Sequence, residues 1–250
     1  MKLFLSILVI FIALNVQSQD ITVLLKEADN FEKQQKEPEA LDKYKQILGL
    51  EPANTKVLVK AAELNISLSN RQPDKNNKRL YIETAFAFAK RAIQSDSISA
   101  GANYAMAMAS GKMADVETEN KKIVAFVKEV KKYADKTLSI NPNYAKAHYT
   151  LGKWHYEMVN LSGIKKMAVK LFYGGLPGGD MDSAIQHMEK CKSLEPYFIT
   201  NYLDLAKAYK GNHQPANAIE ILIRLVKLPT RTTDDVALKA EAAKLLESMQ

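Results

Sequence analysis

The sequence predicts an all-α fold, an α-α superhelix built from repeated helical hairpins, and three observations lead there. Only 10 glycines and 8 prolines punctuate 250 residues, less than the usual ~7% and ~5% of a chain, which favours long helices joined by short turns. A helix-ending signal of the Leu-x-Pro kind recurs along the chain. Small side chains keep step with that signal, as they do where two helices approach closely.

The N-terminus follows its own rules. Met1-Lys2 supplies one positive charge, Leu3 to Leu14 is an apolar run broken only by Ser6, and Asn15-Val16-Gln17-Ser18 turns short and polar. This order predicts a signal peptide over residues 1–18, cut after Ser18, and therefore export to a periplasmic or secreted location. The apolar run is too short for a bilayer span, which needs ~20 residues. The one cysteine, Cys191, lies deep in the chain and not beside that run, so no lipid anchor is expected. It has no second cysteine to pair with, and stability must come from helix packing. Cys191 is expected to fill a small buried slot.

The remainder, 19–250, is expected to form one repeat domain. The landmark occurs at Leu50-Glu51-Pro52, Ser95-Asp96-Ser97, Ile140-Asn141-Pro142, Leu194-Glu195-Pro196 and, more weakly, Leu228-Pro229. From 52 to 97 and from 97 to 142 is 45 residues, from 142 to 196 is 54, and from 196 to 229 is 33. These intervals match a unit of about 34 residues carrying insertions of roughly 11, 11, 20 and none. Twelve residues before the landmark stand Ala40, Ala85, Val130, Ala184 and Asn217, next to Ala218. Nine and ten residues after it stand Ala61-Ala62, Met106-Ala107, Leu151-Gly152 and Leu205-Ala206.

Helices are therefore expected near 20–35, 38–49, 54–69, 77–95, 99–113, 117–139, 143–160, 162–173, 182–193, 198–210, 215–227 and 234–248. They make about four hairpins with inserted or extended helices. Pro38, Pro73 and Pro215 fall in turns or first helical turns, where a missing N–H costs little. The last helix, with Leu238, Ala242 and Leu245 on one face, is expected to cap the array.

This register resembles the tetratricopeptide repeat, a helix-turn-helix unit, and its best copy is Asn201-Tyr202-Leu203-Asp204-Leu205-Ala206-Lys207-Ala208-Tyr209. A narrower likeness lies in Ala147-His148-Tyr149-Thr150-Leu151-Gly152-Lys153-Trp154-His155-Tyr156, followed by Leu161-Ser162, a lysine-bearing segment and Leu171-Phe172. That string is similar to the regulator of microtubule dynamics family, and the similarity continues through Ala184-Ile185, Lys190 and Leu194 to Asp234-Asp235, covering about residues 80–249. The resemblance implies a helical-repeat protein with an interaction role and no catalysis. Two positions depart from the family: its Cys after the Trp is His155 here, and the segment 174–179 is richer in glycine. An exported chain would not meet microtubules.

No catalytic residue, metal site or cofactor is expected. His148 and His155 are seven residues apart on one predicted helix, roughly 10 Å along its axis, and no His-Glu-x-x-His or Cys-x-x-Cys accompanies them. They occupy the same phased positions as Tyr202 and Tyr209, which predicts packing. The glycine run lacks the Gly-Lys-Ser/Thr of a phosphate loop, so it is a linker ending at Asp180 or Asp182, either able to cap the next helix. The balance of 35 basic and 28 acidic residues, a net charge of +7, is modest. Lys121, Lys122, Lys128, Lys131, Lys132 and Lys136 interleave with Glu129 and Asp135 as on a solvated helix face, and no nucleic-acid partner is expected.

The resemblance to the tetratricopeptide repeat places groove-facing residues on the first helix of each hairpin. Seven residues after the landmark are Val59, Tyr104, Tyr149 and Leu203; eleven after are Glu63, Met108, Lys153 and Lys207; fourteen after are Ile66, Gly111, Tyr156 and Lys210. The expected groove is Tyr104, Met108, Lys146, Tyr149, Lys153, Tyr156, Leu203, Lys207 and Lys210. Tyrosines supply contact area at little entropic cost and lysines hold acidic groups, so a protein or peptide partner, acidic in character, suits it. The alternative is a carrier for a lipid or other anionic amphiphile. It rests on the expected helix at 162–173, where Ile164, Met167, Ala168, Leu171 and Phe172 oppose Lys165, Lys166 and Lys170.

Overall fold

The computed structural model describes residues 21–162 and 174–250. The expected signal peptide and residues 163–173 of the expected inserted helix lie outside them. Among the described residues the regular structure is helical, with no strand. The helices are α1 over 21–33, α2 Glu37–Leu50, α3 Thr55–Asn70, α4 Lys75–Ser95, α5 Ala100–Val116, α6 Asn120–Ile140, α7 Ala145–Asn160, α8 Met181–Leu194, α9 Ile199–Gly211, α10 Pro215–Lys227 and α11 Asp235–Glu247. The largest departure from expectation is at α5, which runs on to Val116 before a loop of only 117–119. Two compact units divide the chain, Met1–Ser97 and Ile98–Gln250.

In the first unit α3 packs on both α2 and α4. Asn54 and Asp74 cap α3 and α4, each side chain accepting a backbone N–H of the first turn, from Val57 and Asn77. Tyr44 of α2 is buried, and its hydroxyl donates to Glu32 Oε1 at 2.5 Å and Asp29 Oδ1 at 3.3 Å on α1. Burial first, then these two carboxylates, holds that phenol far above its ordinary range. Lys60 of α3 reaches the same Glu32 at 2.8 Å, and Arg71 pairs with Glu37 at the start of α2.

In the second unit α5 pairs with α6, α7 with α8, and α9 with α10, while α11 packs on both α9 and α10. The connections inside α5–α6 and α9–α10 are short, 117–119 and 212–214, and make each an antiparallel hairpin, whereas α7 and α8 are joined through residues 161–180. The extra length of the 45-residue interval is taken up as helix, since α6 has 21 residues where α10 has 13. The small residues foreseen at the crossing meet there. A Cβ on Gly152 of α7 would lie 2.7 Å from Met188 Cγ and 2.9 Å from the Ala184 carbonyl oxygen of α8. Only glycine lets those two backbones come this close. Behind the crossing, Met188, Ile199, Tyr202, Leu205, Leu222, Leu225 and Ala242 form a continuous apolar core, the main favourable term for the last hairpin and its cap.

Gly174 and Gly175 take the left-handed backbone, φ 72° and 81°, in the segment leading to α8. Of the two capping candidates it is Asp180 that acts, its side chain accepting the Ser183 N–H at 2.7 Å. Cys191 is buried in the hairpin, with its thiol pushed up to about 12 by burial, a poor nucleophile.

Candidate functional site

The first helices α5, α7 and α9 lie side by side, α5 against α7 and α7 against α9. The nine expected groove residues separate into three groups along them. Tyr149, Lys153 and Lys207, with Tyr156 beside Lys153, are brought together around a residue not foreseen. Asp204 of α9, 5% exposed, accepts the Tyr149 hydroxyl at 2.8 Å and Lys153 Nζ at 3.3 Å, with Lys207 Nζ at 3.9 Å. Lys153 also pairs with Glu157 at 3.1 Å and lies 5.6 Å from the Tyr156 ring centroid, while Lys207 pairs with Glu241 of α11 at 2.8 Å.

Burial and the neighbouring Asp204 charge hold the Tyr149 phenol well above its ordinary range. Burial works to lower Lys153, but Asp204 and Glu157 outweigh it and its pKa is raised. The wall expected from lysine spacing to be basic is lined by carboxylates as well as lysines. Local spacing could have pointed to this: Lys153 with Glu157 is an i,i+4 pair and Asp204 with Lys207 an i,i+3 pair.

A second group is interior, not on an open surface as expected. Tyr104 is 7% exposed with its ring centroid 5.0 Å from that of Tyr144, and Leu203 is 2% exposed within the last core. Position seven after the landmark points toward the connection that leads into the next hairpin, which carries Tyr144 for Tyr104 and Phe198 for Tyr149. Tyr149 at the same position meets Phe198 edge-on at 5.1 Å. The third group lies outside the Asp204 cluster: Met108 and Lys146 are half-buried and Lys210 is exposed.

A cleft of about 470 Å³ opens between α5, α6 and α7. Met108, Ile123, Val127, Trp154 and Met158 make its apolar part, while Lys112, Asp115, Lys153 and Glu157 stand along it. That volume is in the range of ligand sites. Trp154 is fixed there by its indole N–H, which donates to the Val127 carbonyl at 3.0 Å.

On the opposite side of α7 the histidines pack, as their phase implied, but against a third. His148 Nδ1 lies 2.9 Å from His187 Nδ1 of α8, and His148 Nε2 lies 2.9 Å from the Pro142 carbonyl oxygen. His155 stacks on His187, ring centroids 6.1 Å apart, and its Nδ1 accepts the Asp180 N–H at 3.2 Å. Among the described residues no group of three or more His, Cys, Asp or Glu is arranged to hold a metal ion.

Paired helices stacked side by side, with small residues at each crossing, define a helical-repeat protein of the tetratricopeptide class, an α-α superhelix. The model of the family "Regulator of microtubule dynamics protein 1-3" matches residues 24–250, and the chain belongs to that family. The match begins well before residue 80, where the resemblance read from the sequence began. Regulator of microtubule dynamics protein 1 of Bos taurus is 26% identical over 171 residues, covering 68% of this chain and 53% of that protein. The Homo sapiens protein of that name is 25% identical over 173 residues, 68% of this chain and 54% of that protein. The chain thus spans about half the length of the curated relatives it matches. Among solved structures, a thermophilic tetratricopeptide-repeat protein of Thermus thermophilus superposes with a TM-score of 0.67 at 13% identity, over 91% of this chain and 99% of that one. PilF of Pseudomonas aeruginosa superposes with a TM-score of 0.54 at 12% identity, over 92% and 86%. Both likenesses concern the fold.

Proposed function

We propose that this protein is a non-enzymatic scaffold that holds a segment of a protein partner along α5, α7 and α9. The observation that carries the reading is the cleft of about 470 Å³ beside the Tyr149, Lys153, Asp204 and Lys207 cluster. An apolar anchor of the partner enters between Met108 and Trp154, and polar groups flanking it face Lys153 and Glu157. The lysines are already paired, so an acidic segment must exchange with Glu157 on Lys153 and with Glu241 on Lys207. Its charge selects more than it attracts.

A photo-crosslinking residue at Met108 should capture the partner in the native cell, and the same residue at exposed Ile223 on α10 should not. Equal capture at both positions overturns the assignment. If the partner is acidic, Glu157→Ala with Glu241→Ala leaves both lysines with Asp204 as their shared carboxylate and should tighten binding several-fold.

Export belongs to the same proposal. It is supported by Lys2, the run Leu3 to Leu14 and the short polar Asn15 to Ser18; among the described residues no helix is long and apolar enough to cross a membrane. A mature N-terminus at Gln19 in an envelope or culture fraction is the expected result, and in that compartment the partner is not a microtubule. The cleft's volume and apolar lining also favour a second reading, a carrier of an anionic amphiphile. Native mass spectrometry separates the two: co-purified lipid supports the carrier and a clean protein mass opposes it.

A further inference from the structure

We propose that His148, His155 and His187 form an acid-released latch between α7 and α8, which holds the groove helix in place and lets go when the cluster takes up more than one proton.

The hydrogen bonds dictate where the protons sit. The Pro142 carbonyl can only accept, so His148 Nε2 carries a hydrogen. In the neutral pair His148 Nδ1 is then the acceptor, and His187 Nδ1–H donates across the 2.9 Å gap. One added proton is accommodated: His148 becomes the donor through Nδ1–H, and the hydrogen of His187 moves to Nε2. A second proton sets N–H against N–H at hydrogen-bond distance, and two cations face each other. The third ring adds its own restriction, because His155 Nδ1 accepts the Asp180 N–H, a bond that protonation at Nδ1 destroys. The three rings thus hold both α8's first residues and its middle turn to α7, but only while nearly neutral.

The surroundings favour neutrality at pH 7. Burial first, then the charges of His148 and His155, hold His187 down to about 4, and burial followed by Lys131 lowers His155. The charged groups facing the cluster are Lys131 and Asp135 from α6 and Asp180 at the start of α8. The two carboxylates oppose the shift without reversing it. Because His187 is held below its unfolded value of 6.5, the unfolded or opened form binds more protons between pH 6.5 and about 4. Stability from the latch is complete above that window, falls as pH drops through it and is gone at its lower edge.

Release would reach the groove directly. Tyr149 and Tyr156 are each next to a latch histidine in sequence. Tyr156 and Met181, the first residue of α8, pack together on the last core around Gly211. Gly179 lies so close to α7 that a Cβ there would be 2.5 Å from Met158 Cβ, and Met158 lines the cleft. Freeing the start of α8 therefore loosens one cleft wall. This link to binding rests on the groove reading; the latch itself does not.

The test uses the full chain and amide hydrogen exchange over 176–190, corrected for intrinsic pH dependence. Exchange in the native protein should rise at least tenfold from pH 7 to pH 4.5. In the double variant His155→Asn, His187→Asn, the side-chain amides can keep both hydrogen bonds without titrating, and the rise should be under twofold. An equal rise in that variant, or none in the native protein, overturns the latch. If the variant does not match native circular dichroism at pH 7, proton NMR of the native protein decides, with exposed His213 as the internal reference. His187 titrating well below the unfolded value of 6.5, with His155 also below it, supports the proposal, and both titrating with His213 overturns it. A change in partner capture at Met108 over the same pH range tests the groove link separately.

Discussion

His148 and Tyr202 both stand six residues after a landmark proline, and both bond to that proline's carbonyl, at 2.9 and 3.0 Å. Seven residues further on, His155 and Tyr209 again occupy one slot, where Tyr209 donates to Glu189 at 2.9 Å and His155 accepts the Asp180 N–H. Hairpin α7–α8 therefore repeats the architecture of α9–α10 with imidazoles in place of phenols. Burial pushes the Tyr209 phenol up to about 12, so it keeps its proton throughout the acidic range, whereas imidazoles titrate within reach of ordinary acidity. Position in the repeat dictates the bond to the proline carbonyl, while the second slot finds different partners, Glu189 and the Asp180 N–H. Residue type dictates whether protons can break the bond made there.

The largest difference between the two hairpins should appear at their crossings. Gly152→Leu forces a side chain against Met188 and the Ala184 carbonyl and should cost about 3 kcal/mol, whereas Ala206→Gly at the same phase in α9 should cost about 1 kcal/mol. Urea unfolding followed by circular dichroism measures both, and equal losses would mean that the crossings are not distinct. Next comes the contact joining the hairpins. Asp204→Ala leaves the Tyr149 hydroxyl and Lys153 without their shared acceptor and should lose about 2 kcal/mol. Lys207→Ala, at the half-exposed edge of the cluster, should lose under about 0.5 kcal/mol. A double-mutant cycle on Tyr149 and Asp204 would show no coupling if that bond is absent in solution. The smallest contrast is at the helix starts: Asp180 caps α8 through its side chain, and Gln214 makes no such bond to α10. Asp180→Ala should lower stability measurably and Gln214→Ala by much less.

Much of the fold was legible because its signals are local. The phased Ala62, Ala107, Gly152 and Ala206 could be recognised as crossing residues because a helical hairpin needs small side chains at fixed distances from its turn, and each is buried. Capping chemistry alone could place the first-turn prolines and narrow the α8 cap to Asp180 or Asp182, and the structure chose Asp180. The groove was less legible. Tyr104 and Leu203 carry the right phase, yet the residues beside them differ from those around Tyr149 enough to leave both interior. Asp204 stands in the best repeat copy without its role being apparent there, since its hydrogen-bond partners lie 51 and 55 residues away.

By itself, then, the sequence determined that the chain is helical, where its hairpins turn and which residues stand at their crossings, because 3.6-residue periodicity, caps and small residues act within one repeat. Only the tertiary structure decided that Lys153 and Lys207 of the groove are paired with carboxylates and that His148 and His155 share a third imidazole. Those outcomes depend on side chains from different helices, His187 being 39 residues from His148, and charge and proton sharing follow distance in space and not distance along the chain.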